Sequence, residues 1–501
     1  MSQDKLKSRY DTLTSKREPY LTRARAAAKL TIPSLMPDVG VNESTSFDTP
    51  WQSIGSRGTN NLASKILLAL FPPNSAFFRM DMDDIDQEGM DAGTKGDIDK
   101  ALSAYERTIT KDIESSYFRS TMYQAGRHLI VTGNGLIYDD PNGNMRMYPL
   151  NRFVIVRDAG GKVFEMIATD TTIWQSLSDD VRAAINAGGG TVQHKDNDEI
   201  TIYTGIYRRT KKWEVYQEID GIRVPGSEGE YKLDESPWIP IRPVALDGES
   251  YGRGFVEEIY GDLNTVDVMT QAVTEGASIA ALVKFLVDPN GSTDTDDLID
   301  TPNGGFCTGR AADVTVLRVD KGGDLSVAAN TMQKIEERLA FAFLLNSATR
   351  RDAERVTAEE IRFVAQELED ALGGIYSVLS QELQMPLVKY RIAKLTKARK
   401  LAALPKEVTT EIITGLEALG RGHEHQRLRA FVGDAANIIG PEALQDYMQV
   451  SEYMKRAAAA MNLNTDGLIR TEEEVQQRRQ QALDAQAQAQ AAQQQQGQPQ
   501  Q

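Results

Sequence analysis

Residues 255–287 read FVEEIYGDLNTVDVMTQAVTEGASIAALVKFLV, and this stretch decides the character of the second half of the chain. Apolar or small side chains recur in it every three or four residues, which predicts one long helix. At the rise of an α-helix, this stretch would be about 50 Å long. Its middle, residues 271–281, carries mostly small side chains, which allow another helix to approach closely. That neighbour is either a second copy of the chain, packed side by side, or another helix of the same chain.

A second helix is predicted over residues 326–345. The segment between the two helices, residues 288–325, is rich in Gly and Asp and contains a β-type run at Val314–Val319, which predicts loop and short strand. Residues 346–356 follow the second helix as a loop. The pattern therefore predicts two long helices joined by a small irregular region.

The next long helix is predicted over residues 357–404. It begins at a capping box, with Thr357 followed by Glu360 three residues later, and it continues as the strongest amphipathic pattern of the chain. Pro386 should kink this helix because proline lacks the backbone N–H of the helical ladder. Residues 405–470 are interpreted as a smaller helical region, and residues 471–501 as a Gln- and Ala-rich tail that is partly disordered.

The first half of the chain mixes helices with strands. Helices are predicted over residues 1–30 (interrupted at Pro19), 54–70 and 97–130. Strand pairs are predicted at residues 152–157 with 162–167, and at residues 199–207 with 212–219. The predicted fold class is therefore α+β, predominantly α.

Composition narrows the functional classes. The formal net charge is −16, which argues against a protein that grips DNA tightly, although it suits a surface that DNA slides past. The only cysteine, Cys307, excludes an intrachain disulfide and suits a reducing cytoplasm. No apolar run is long enough for a membrane span, and the N-terminus lacks the apolar core of a signal peptide. A soluble protein of several regions is expected.

Motifs for enzymatic chemistry are absent from the sequence. There is no phosphate-binding glycine loop, no dinucleotide-binding glycine motif and no set of zinc ligands. His423 and His425 are two residues apart, a spacing that would point their rings away from each other on a helix. The acidic run Asp81–Asp86 is the best candidate for a magnesium site, and a solvated acidic surface is the competing interpretation. No cofactor is expected.

Two basic features stand out against the acidic background. Arg350, Arg351 and Arg355 lie in the predicted loop between two long helices, mixed with acids, so they are either a DNA contact or a salt-bridged loop. Residues 383–406 carry seven bases and no acid. Helix C-termini favour bases, which accounts for some of them, and the others would face DNA, a partner or an acidic patch on a neighbouring copy.

Five groups of residues, in a fixed order along the chain, carry a resemblance to a known family. They are 31–37 (TIPSLMP); 55–65 (GSRGTNNLASK), leading into 70–74 (LFPPN) and 77–79 (FFR); 133–135 (GNG); 248–254 (GESYGRG), ahead of Asp262-Leu263; and 304–310 (GGFCTGR), with Asp313-Val314. Together they resemble the portal, or head-to-tail connector, proteins of short-tailed, podovirus-type bacteriophages. The similarity continues to about residue 400 and does not extend into the Gln-rich tail.

The resemblance implies a portal fold with a mixed α/β wing, a long helical stem, a small clip and a helical crown, assembled as a ring. The implied segments are the wing (1–250, with a β-rich part at 135–245), the first stem helix (251–287), the clip (288–325), the second stem helix (326–345), the tunnel loop (346–356), the wing spine helix (357–404), the crown (405–470) and the tail (471–501).

The resemblance also implies a non-enzymatic function and roles for particular residues. A dodecameric ring at one capsid vertex would pass double-stranded DNA, with terminase, scaffold and capsid proteins, tail adaptor and internal core proteins as partners and no insertion into a membrane. The protein would lie in the virion, and in the host cytoplasm during assembly. The implied residues are Arg350, Arg351, Arg355 and Lys284 facing DNA; Glu257, Glu258, Asp262, Asp267 and Glu275 as an acidic stem; and Arg310, Asp313, Asp296 and Asp297 as the docking surface of the clip.

Two other classes of function stay open from the sequence. One is a scaffold or capsid-interior structural protein built on long helices. The other is a magnesium-dependent nuclease or motor component that uses the acids at residues 81–86. A ring with a central hole would distinguish the portal from both.

Overall fold

The structure is a computed structural model, which describes residues 5–41, 44–73, 77–82, 92–115, 117–141, 144–188, 194–281, 284–317, 322–345, 374–375, 377–405, 408–413, 429–438, 440, 448, 450 and 453–454. The helices, in chain order, are α1 (Leu6–Lys29), α2 (Ile54–Leu70), α3 (Ala92–Glu114), α4 (Phe118–Thr132), α5 (Asp179–Ala187), α6 (Phe255–Glu258), α7 (Tyr260–Ala281), α8 (Thr295–Asp300), α9 (Gly322–Ala342) and α10 (Met385–Lys397). The strands are β1 (Phe78–Met82), β2 (Gly135–Asp139), β3 (Met145–Tyr148), β4 (Phe153–Arg157), β5 (Val163–Ile173), β6 (Glu199–Arg208), β7 (Lys212–Ile219), β8 (Ile222–Arg223), β9 (Gly229–Lys232), β10 (Trp238–Ile241), β11 (Lys284–Val287), β12 (Val314–Leu317) and β13 (Val408–Ile412).

The chain divides into two compact units. The larger contains residues 1–67, 114–353 and 371–393, and the smaller contains residues 68–113, 354–370 and 394–501. Helices and strands occur in both units, so the predicted α+β class is confirmed.

The main sheet of the larger unit is antiparallel and runs β4-β5-β6-β7, with β8 and β9 both paired to β7. Two of its hairpins, β4–β5 and β6–β7, lie where the sequence predicts strand pairs. In the turn between β4 and β5, Gly161 has a φ of 78°, and the Lys162 amide donates to Asp158 Oδ1 over 2.7 Å. The local turn chemistry therefore sets this hairpin, and both predicted strand pairs are confirmed.

Helix α1 packs on this sheet and is continuous through Pro19, where the sequence predicts an interruption. Leu13 packs with Val154 of β4, and the buried Arg17 donates through Nη1 to the Phe153 carbonyl over 2.7 Å. Proline removes one backbone hydrogen bond from the helix interior. The contacts of α1 with the sheet offset that loss, so the predicted interruption is wrong.

The edge strand β4 is covered by residues 248–254, one of the groups that carries the family resemblance. The Ile155 amide donates to Tyr251 Oη and the Arg157 amide donates to Ser250 Oγ, each over 3.2 Å. An uncovered edge strand would present these amides to another chain. Two hydroxyl groups thus end the sheet on this side.

The same segment is locked to the end of α4. Asn134 Nδ2 donates to the Gly252 carbonyl over 2.9 Å, and the Gly252 amide donates back to Asn134 Oδ1 over 2.8 Å. Gly133, with a φ of 70°, ends α4, and a Cβ at this position would lie 2.2 Å from the Arg253 carbonyl carbon. Two sequence groups separated by more than a hundred residues therefore meet backbone to backbone, at a distance that only glycine allows.

A buried ion pair joins α10 to the three-stranded sheet β10-β2-β3. Arg391 Nε lies 2.5 Å from Asp139 Oδ2 at the end of β2, and both side chains are almost fully buried. A buried charge that loses its partner is strongly destabilising, so the pair fixes α10 in one position.

A second buried cluster lies just before α10. Arg157 Nη1 and Arg242 Nε approach Glu382 Oε1 at 3.0 and 2.9 Å. Burial lowers the pKa of Arg157 to about 10, so its guanidinium is still charged at neutral pH. Glu382 belongs to a π-helical turn, Ser380–Gln384, directly ahead of Pro386. The irregularity that the sequence predicts at Pro386 takes the form of this turn.

The single long helix predicted over residues 255–287 is divided in the structure. It becomes the short α6 and then α7, which ends at Ala281, while Lys284–Val287 forms β11 and pairs antiparallel with β12. A short apolar run is compatible with either a helix or a strand. Residues 284–287 form a strand because they pair with β12. The second helix, predicted over residues 326–345, is α9 in the structure, which begins and ends earlier in the chain, at Gly322 and Ala342.

Two further helix predictions need correction. The helix predicted over residues 97–130 is two helices, α3 and α4. Within the predicted helical region 405–470, residues 408–412 form β13, which pairs with β1 in the smaller unit, while residues 429–438 are helical. The partner of β13 lies more than three hundred residues away, which local periodicity does not reveal.

The smaller unit places the start of the acidic run on a strand. Asp81 lies on β1, and Arg79 Nη2 is 3.3 Å from its Oδ2. The Met80 amide donates to Glu106 of α3 over 2.8 Å. Residues 83–86 lie outside the described residues, as do His423 and His425.

Two classes of site are not found in the described ranges. No helix there combines the length and the apolar character that a membrane span requires. In the same residues, no group of three or more His, Cys, Asp or Glu side chains is placed to hold a metal ion.

Replacing Asn134 with alanine should destabilise the larger unit. The change leaves the buried amide and carbonyl of Gly252 without their partner, so we expect the free energy of unfolding to fall by about 2 to 4 kcal/mol. Urea unfolding followed by tryptophan fluorescence measures this, because all four tryptophans belong to the larger unit. Asn290→Ala, at an exposed turn, is the control. An unchanged urea midpoint for Asn134→Ala would contradict the role of this lock.

Candidate functional site

The candidate site is the antiparallel pair of α7 and α9, called here the stem pair, together with the residues that hold its ends. Three contacts set its register: Arg338 Nη2 donates to Asp262 Oδ1 over 2.9 Å, Thr270 Oγ1 donates to Met332 Sδ over 3.2 Å, and Gly276 faces Leu325. We call two residues level when they lie at the same height along the stem pair. Asp262 is thus level with Arg338, Thr270 with Met332, and Gly276 with Leu325.

Few side chains are fully buried between the two helices of the stem pair. Leu263 and Val266 of α7 are fully buried, as is Leu339 of α9. Beyond Val266, every residue of α7 up to Ile279 is at least partly exposed. The small-residue stretch at residues 271–281 meets α9 of its own chain at Gly276, where a Cβ would lie 3.1 Å from Leu325 Cδ2. The interior contact that the sequence left open accounts for only part of this stretch.

The five predicted stem acids fall into three environments. Glu257 lies within 3.2 Å of Arg23 and 3.0 Å of Arg253, and Asp262 pairs with Arg338. Asp267 Oδ1 accepts a hydrogen bond from the backbone N–H of Gln52 over 3.3 Å. The exposed acids are Glu258 and Glu275, and Glu275 accepts a hydrogen bond from Gln271.

Helix α2 holds the end of α9. Asn61 Nδ2 donates to the carbonyls of Phe343 and Leu344 over 3.0 and 3.1 Å, and Lys65 Nζ donates to the Leu344 carbonyl over 2.8 Å. Leu344 has a φ of 55°, in the left-handed region, where a leucine is strained. The last carbonyls of a helix need such donors, and the side chains of α2 supply them.

The fit between these two helices requires glycine. A Cβ on Gly58 would lie 2.3 Å from Cγ of the fully buried Phe343. One turn earlier, a Cβ on Gly55 would lie 2.2 Å from the Leu30 carbonyl oxygen. We call Gly58, Asn61 and Lys65, with Phe343 and Leu344, the stem anchor. Residues 55–65, which carry part of the family resemblance, thus hold the end of the stem pair.

The predicted DNA-facing residues are not brought together by the described structure. Arg350, Arg351 and Arg355 lie outside the described residues, which stop at Leu345, directly after the stem anchor. Lys284 is not on the stem helix where the sequence places it, because it lies on β11, level with Leu317 of β12. Its assignment to a DNA-facing surface stays a prediction.

The predicted clip, residues 288–325, contains α8 and β12, and β12 pairs with β11, which lies just before it. Asp313 Oδ2 accepts the Ser292 amide over 2.9 Å and Thr293 Oγ1 over 3.0 Å, so this acid stabilises the loop. Three other predicted docking residues are exposed: Asp296, Asp297 and Arg310.

The exposed apolar side chains of this region were not predicted. Phe285 and Leu286 are adjacent on β11 and therefore point to opposite faces, yet both are more than half exposed. Ile299 and Phe306 are exposed as well. The sequence signal that would have found them is a strand of adjacent apolar residues in a segment otherwise rich in Asp and Gly.

Gly58→Ala should weaken the stem anchor. The added methyl group collides with Phe343, and overpacking of this kind costs about 1 to 3 kcal/mol in the free energy of unfolding. Gly374→Ala is a matched control, because Gly374 is helical and a Cβ there meets nothing within 4 Å. Urea unfolding followed by tryptophan fluorescence should show a lower midpoint for Gly58→Ala only, with partial recovery in Gly58→Ala/Phe343→Leu. Equal midpoints for the two glycine variants would exclude a tight fit at Gly58.

Comparisons with known proteins extend over nearly the whole chain. The family model described as "Bacteriophage head to tail connecting protein" matches residues 3–469. The portal protein of Escherichia phage T7 is 41% identical over 96% of this chain and 91% of its own length. The portal proteins of Enterobacteria phage T3 and Enterobacteria phage SP6 are 40% and 31% identical over 95% and 96% of this chain, and over 90% and 93% of their own lengths.

Among solved structures, the neck of an empty gene transfer agent particle, computed with C6 symmetry, is similar at 12% identity over 76% of this chain and 86% of that chain. Its TM-score of 0.39 supports no conclusion about this chain. The family match and the relatives do not depend on it. The chain belongs to the bacteriophage head-to-tail connecting proteins, and its role is that of a portal.

Proposed function

We propose that copies of this chain close into a dodecameric ring at one capsid vertex, and that double-stranded DNA passes through its channel during packaging and ejection. The observation that carries the proposal is the outer surface of the stem pair. Val268 and Ile279 of α7, and Val327 and Phe341 of α9, are all more than half exposed. In a single copy, nothing in the described residues covers them.

Exposed apolar residues that recur along two packed helices favour contact with another protein surface. In a ring, each stem pair lies between two others, so both of its outer sides are covered. A heterologous contact that closes on itself gives such a ring without leaving an apolar surface in water.

The charge of the stem supports passage of DNA without tight binding. Helix α7 carries three acids, Asp262, Asp267 and Glu275, and no base. Acids near a channel repel phosphates within the screening length of about 8 Å at physiological salt. Of these acids, Glu275 is both exposed and unneutralised by any ion pair of the described residues, and Glu258 of α6 shares that character. We assign Glu258 to the channel ahead of the other four, because Glu275 lies on the side of α7 that a neighbouring copy would cover.

The arginines at residues 350, 351 and 355 are proposed to touch DNA transiently. They follow the stem anchor, which fixes the point where their loop begins. Because guanidinium groups bind phosphates bidentately, a few of them on an acidic wall would contact the DNA without arresting it.

The clip is proposed as the surface that docks terminase and later the tail proteins. It combines the exposed Phe306 with the exposed charges Asp296, Asp297 and Arg310, and the adjacent strand β11 adds the exposed Phe285 and Leu286. Apolar anchors within a polar rim are the usual composition of a protein interface. Scaffold, capsid and internal core proteins complete the proposed set of partners, in the virion and earlier in the host cytoplasm.

The proposed function is structural, without catalysis. In the described part of the acidic run, Asp81 lies on a paired strand and faces Arg79, which does not favour a magnesium site there. Neither a nuclease nor a capsid-interior scaffold gains support from the described residues.

The purified chain should form closed rings. Negative-stain microscopy and native mass measurement are expected to show a ring with a central hole. DNA cleavage with Mg²⁺ and ATP hydrolysis, assayed on the same sample, should be absent. Monomers or open rods would contradict the portal, and metal-dependent cleavage would favour an enzyme.

The variant with Arg350, Arg351 and Arg355 all changed to alanine should form rings and yet package DNA less well. We expect severalfold fewer DNA-filled particles, because the contacts that hold DNA in the channel are lost. The control changes three arginines on the surface of the wing, Arg182, Arg209 and Arg223, to alanine. Wild-type packaging and DNA retention by the loop variant would refute its role.

A further inference from the structure

The two outer faces of the stem pair carry ridges with the same spacing. The outer ridge of α7 consists of Gly261, Thr265, Val268, Ala272, Glu275 and Ile279, and the outer ridge of α9 consists of Gly323, Val327, Asn330, Lys334, Glu337 and Phe341. Every member of both ridges is exposed. Steps of four, three, four, three and four residues keep each ridge on one side of its helix, as in the seam of a coiled coil. Each ridge faces away from the other helix of its own pair.

Each ridge has a large apolar residue near one end and a glycine at the other. Phe341 is 76% exposed and Ile279 is 56% exposed, so neither is covered within its own copy. A Cβ at Gly261 or at Gly323 would meet nothing within 4 Å. One copy therefore has two uncovered large side chains, Phe341 and Ile279. At the opposite ends of the ridges it has two open spaces, beside Gly261 and Gly323.

The register within one copy shows which ridge residues are level with one another. Counting outward from the level pairs Asp262 with Arg338 and Gly276 with Leu325, Gly261 is level with Phe341. By the same count, Ile279 is level with Gly323. Large residues are thus level with glycines at both ends of the stem pair.

We propose that the outer ridge of α7 in one copy packs antiparallel against the outer ridge of α9 in the next copy, with level residues opposite each other. The inference rests on the proposed ring. Copies in a closed ring are related by rotation, so each copy offers its α7 ridge to one neighbour and its α9 ridge to the other. The large residues and the glycines at the ends of the two ridges favour the register in which level residues meet. Phe341 then fills the space beside Gly261 of its neighbour, and Ile279 fills the space beside Gly323.

One basic side chain, Lys334, lies in the middle of the α9 ridge. Lys334 is level with Val268 and adjacent to Asp267 on a helix that carries acids and no base. Glu337 is level with Thr265, next to the amide of Asn264. The attraction between Lys334 and the acids of α7 supports contact between these two ridges.

A groove beside Gly261 supports the position of Phe341. It has a volume of about 480 Å³ and lies between α1 and the start of α7. Its lining combines Ala26, Leu30 and Tyr260 with polar and charged side chains, namely Thr22, Arg25, Lys29, Asp38 and Asn264. An aromatic side chain seated in a pocket is the commonest kind of energetic anchor in a protein interface. The groove and the exposed Phe341 lie at the same level, as the proposed contact requires.

Disulfide mapping tests the register. In a Cys307→Ser background, Ala272→Cys is combined with Asn330→Cys, which is level with it, or with Lys334→Cys or Ser326→Cys, which are a turn away on either side. Within one copy the outer ridges are on the order of 14 Å apart, too far for a disulfide. We expect the level pair to give interchain ladders up to the full ring under mild oxidation, and the shifted pairs to give few.

Exchanging the sizes of the side chains at positions 341 and 261 tests whether Phe341 fills the space beside Gly261 of the neighbouring copy. Phe341→Ala and Gly261→Leu should each lower the fraction of assembled rings at least tenfold at limiting concentration, since one change removes the anchor and the other blocks its space. The double variant should recover most of the assembly, because the leucine refills the volume that Phe341 leaves. Phe306→Ala, which also removes an exposed phenylalanine, is the matched control.

The outcomes separate this inference from the ring itself. If Cys307→Ser protein forms rings but a shifted pair cross-links instead, or if the two size changes add without recovery, the proposed contact is wrong and the ring stands. If Cys307→Ser and wild-type protein form no rings, the proposed function fails first. Single-cysteine variants, which should give no ladder, exclude random cross-linking.

Discussion

The contact between α2 and the end of α9 is the constraint on which the rest of the structure depends. Gly58 allows the two helices to approach until the ring of Phe343 fills the space between them, and Asn61 and Lys65 then satisfy the last carbonyls of α9. Without those donors, buried carbonyl groups would be left unpaired, at a cost of about 1 to 3 kcal/mol each. This contact therefore fixes the end of α9 and, with it, the end of the stem pair.

Local patterns predicted those parts of the fold whose partners are close in sequence. The hairpin of β4 and β5 follows from a turn with Asp158 and Gly161, and the amphipathic stem helices follow from their spacing. Predictions failed where a distant segment decides the conformation. Lys284–Val287 is a strand because Val314–Leu317 pairs with it, and Val408–Ile412 is a strand because β1 does. The helix α1 passes through Pro19 because contacts with the sheet outweigh one missing hydrogen bond.

The sequence predicted which segments form the candidate site, but it did not predict the contacts that their side chains make. The motif glycines were recognised by resemblance, whereas the reason for them, backbone contacts such as that of Gly133 with Arg253, is visible only in three dimensions. The sequence also grouped five stem acids as one class. The structure separates them, since Glu257 and Asp262 are paired with arginines whereas Glu258 and Glu275 are exposed. Side-chain partners, which composition does not contain, make this difference.

The two outer ridges of the stem pair differ from each other, and this has a genetic consequence. In the proposed ring, a copy with a damaged α7 ridge would still present an intact α9 ridge, so a growing arc of normal copies would accept it and then be unable to continue past it. In a cell that holds both alleles, even a minority of such copies would enter most unfinished arcs. Mutations on one ridge should therefore behave as dominant, whereas mutations that unfold the chain should be recessive, because an unfolded copy never joins an arc.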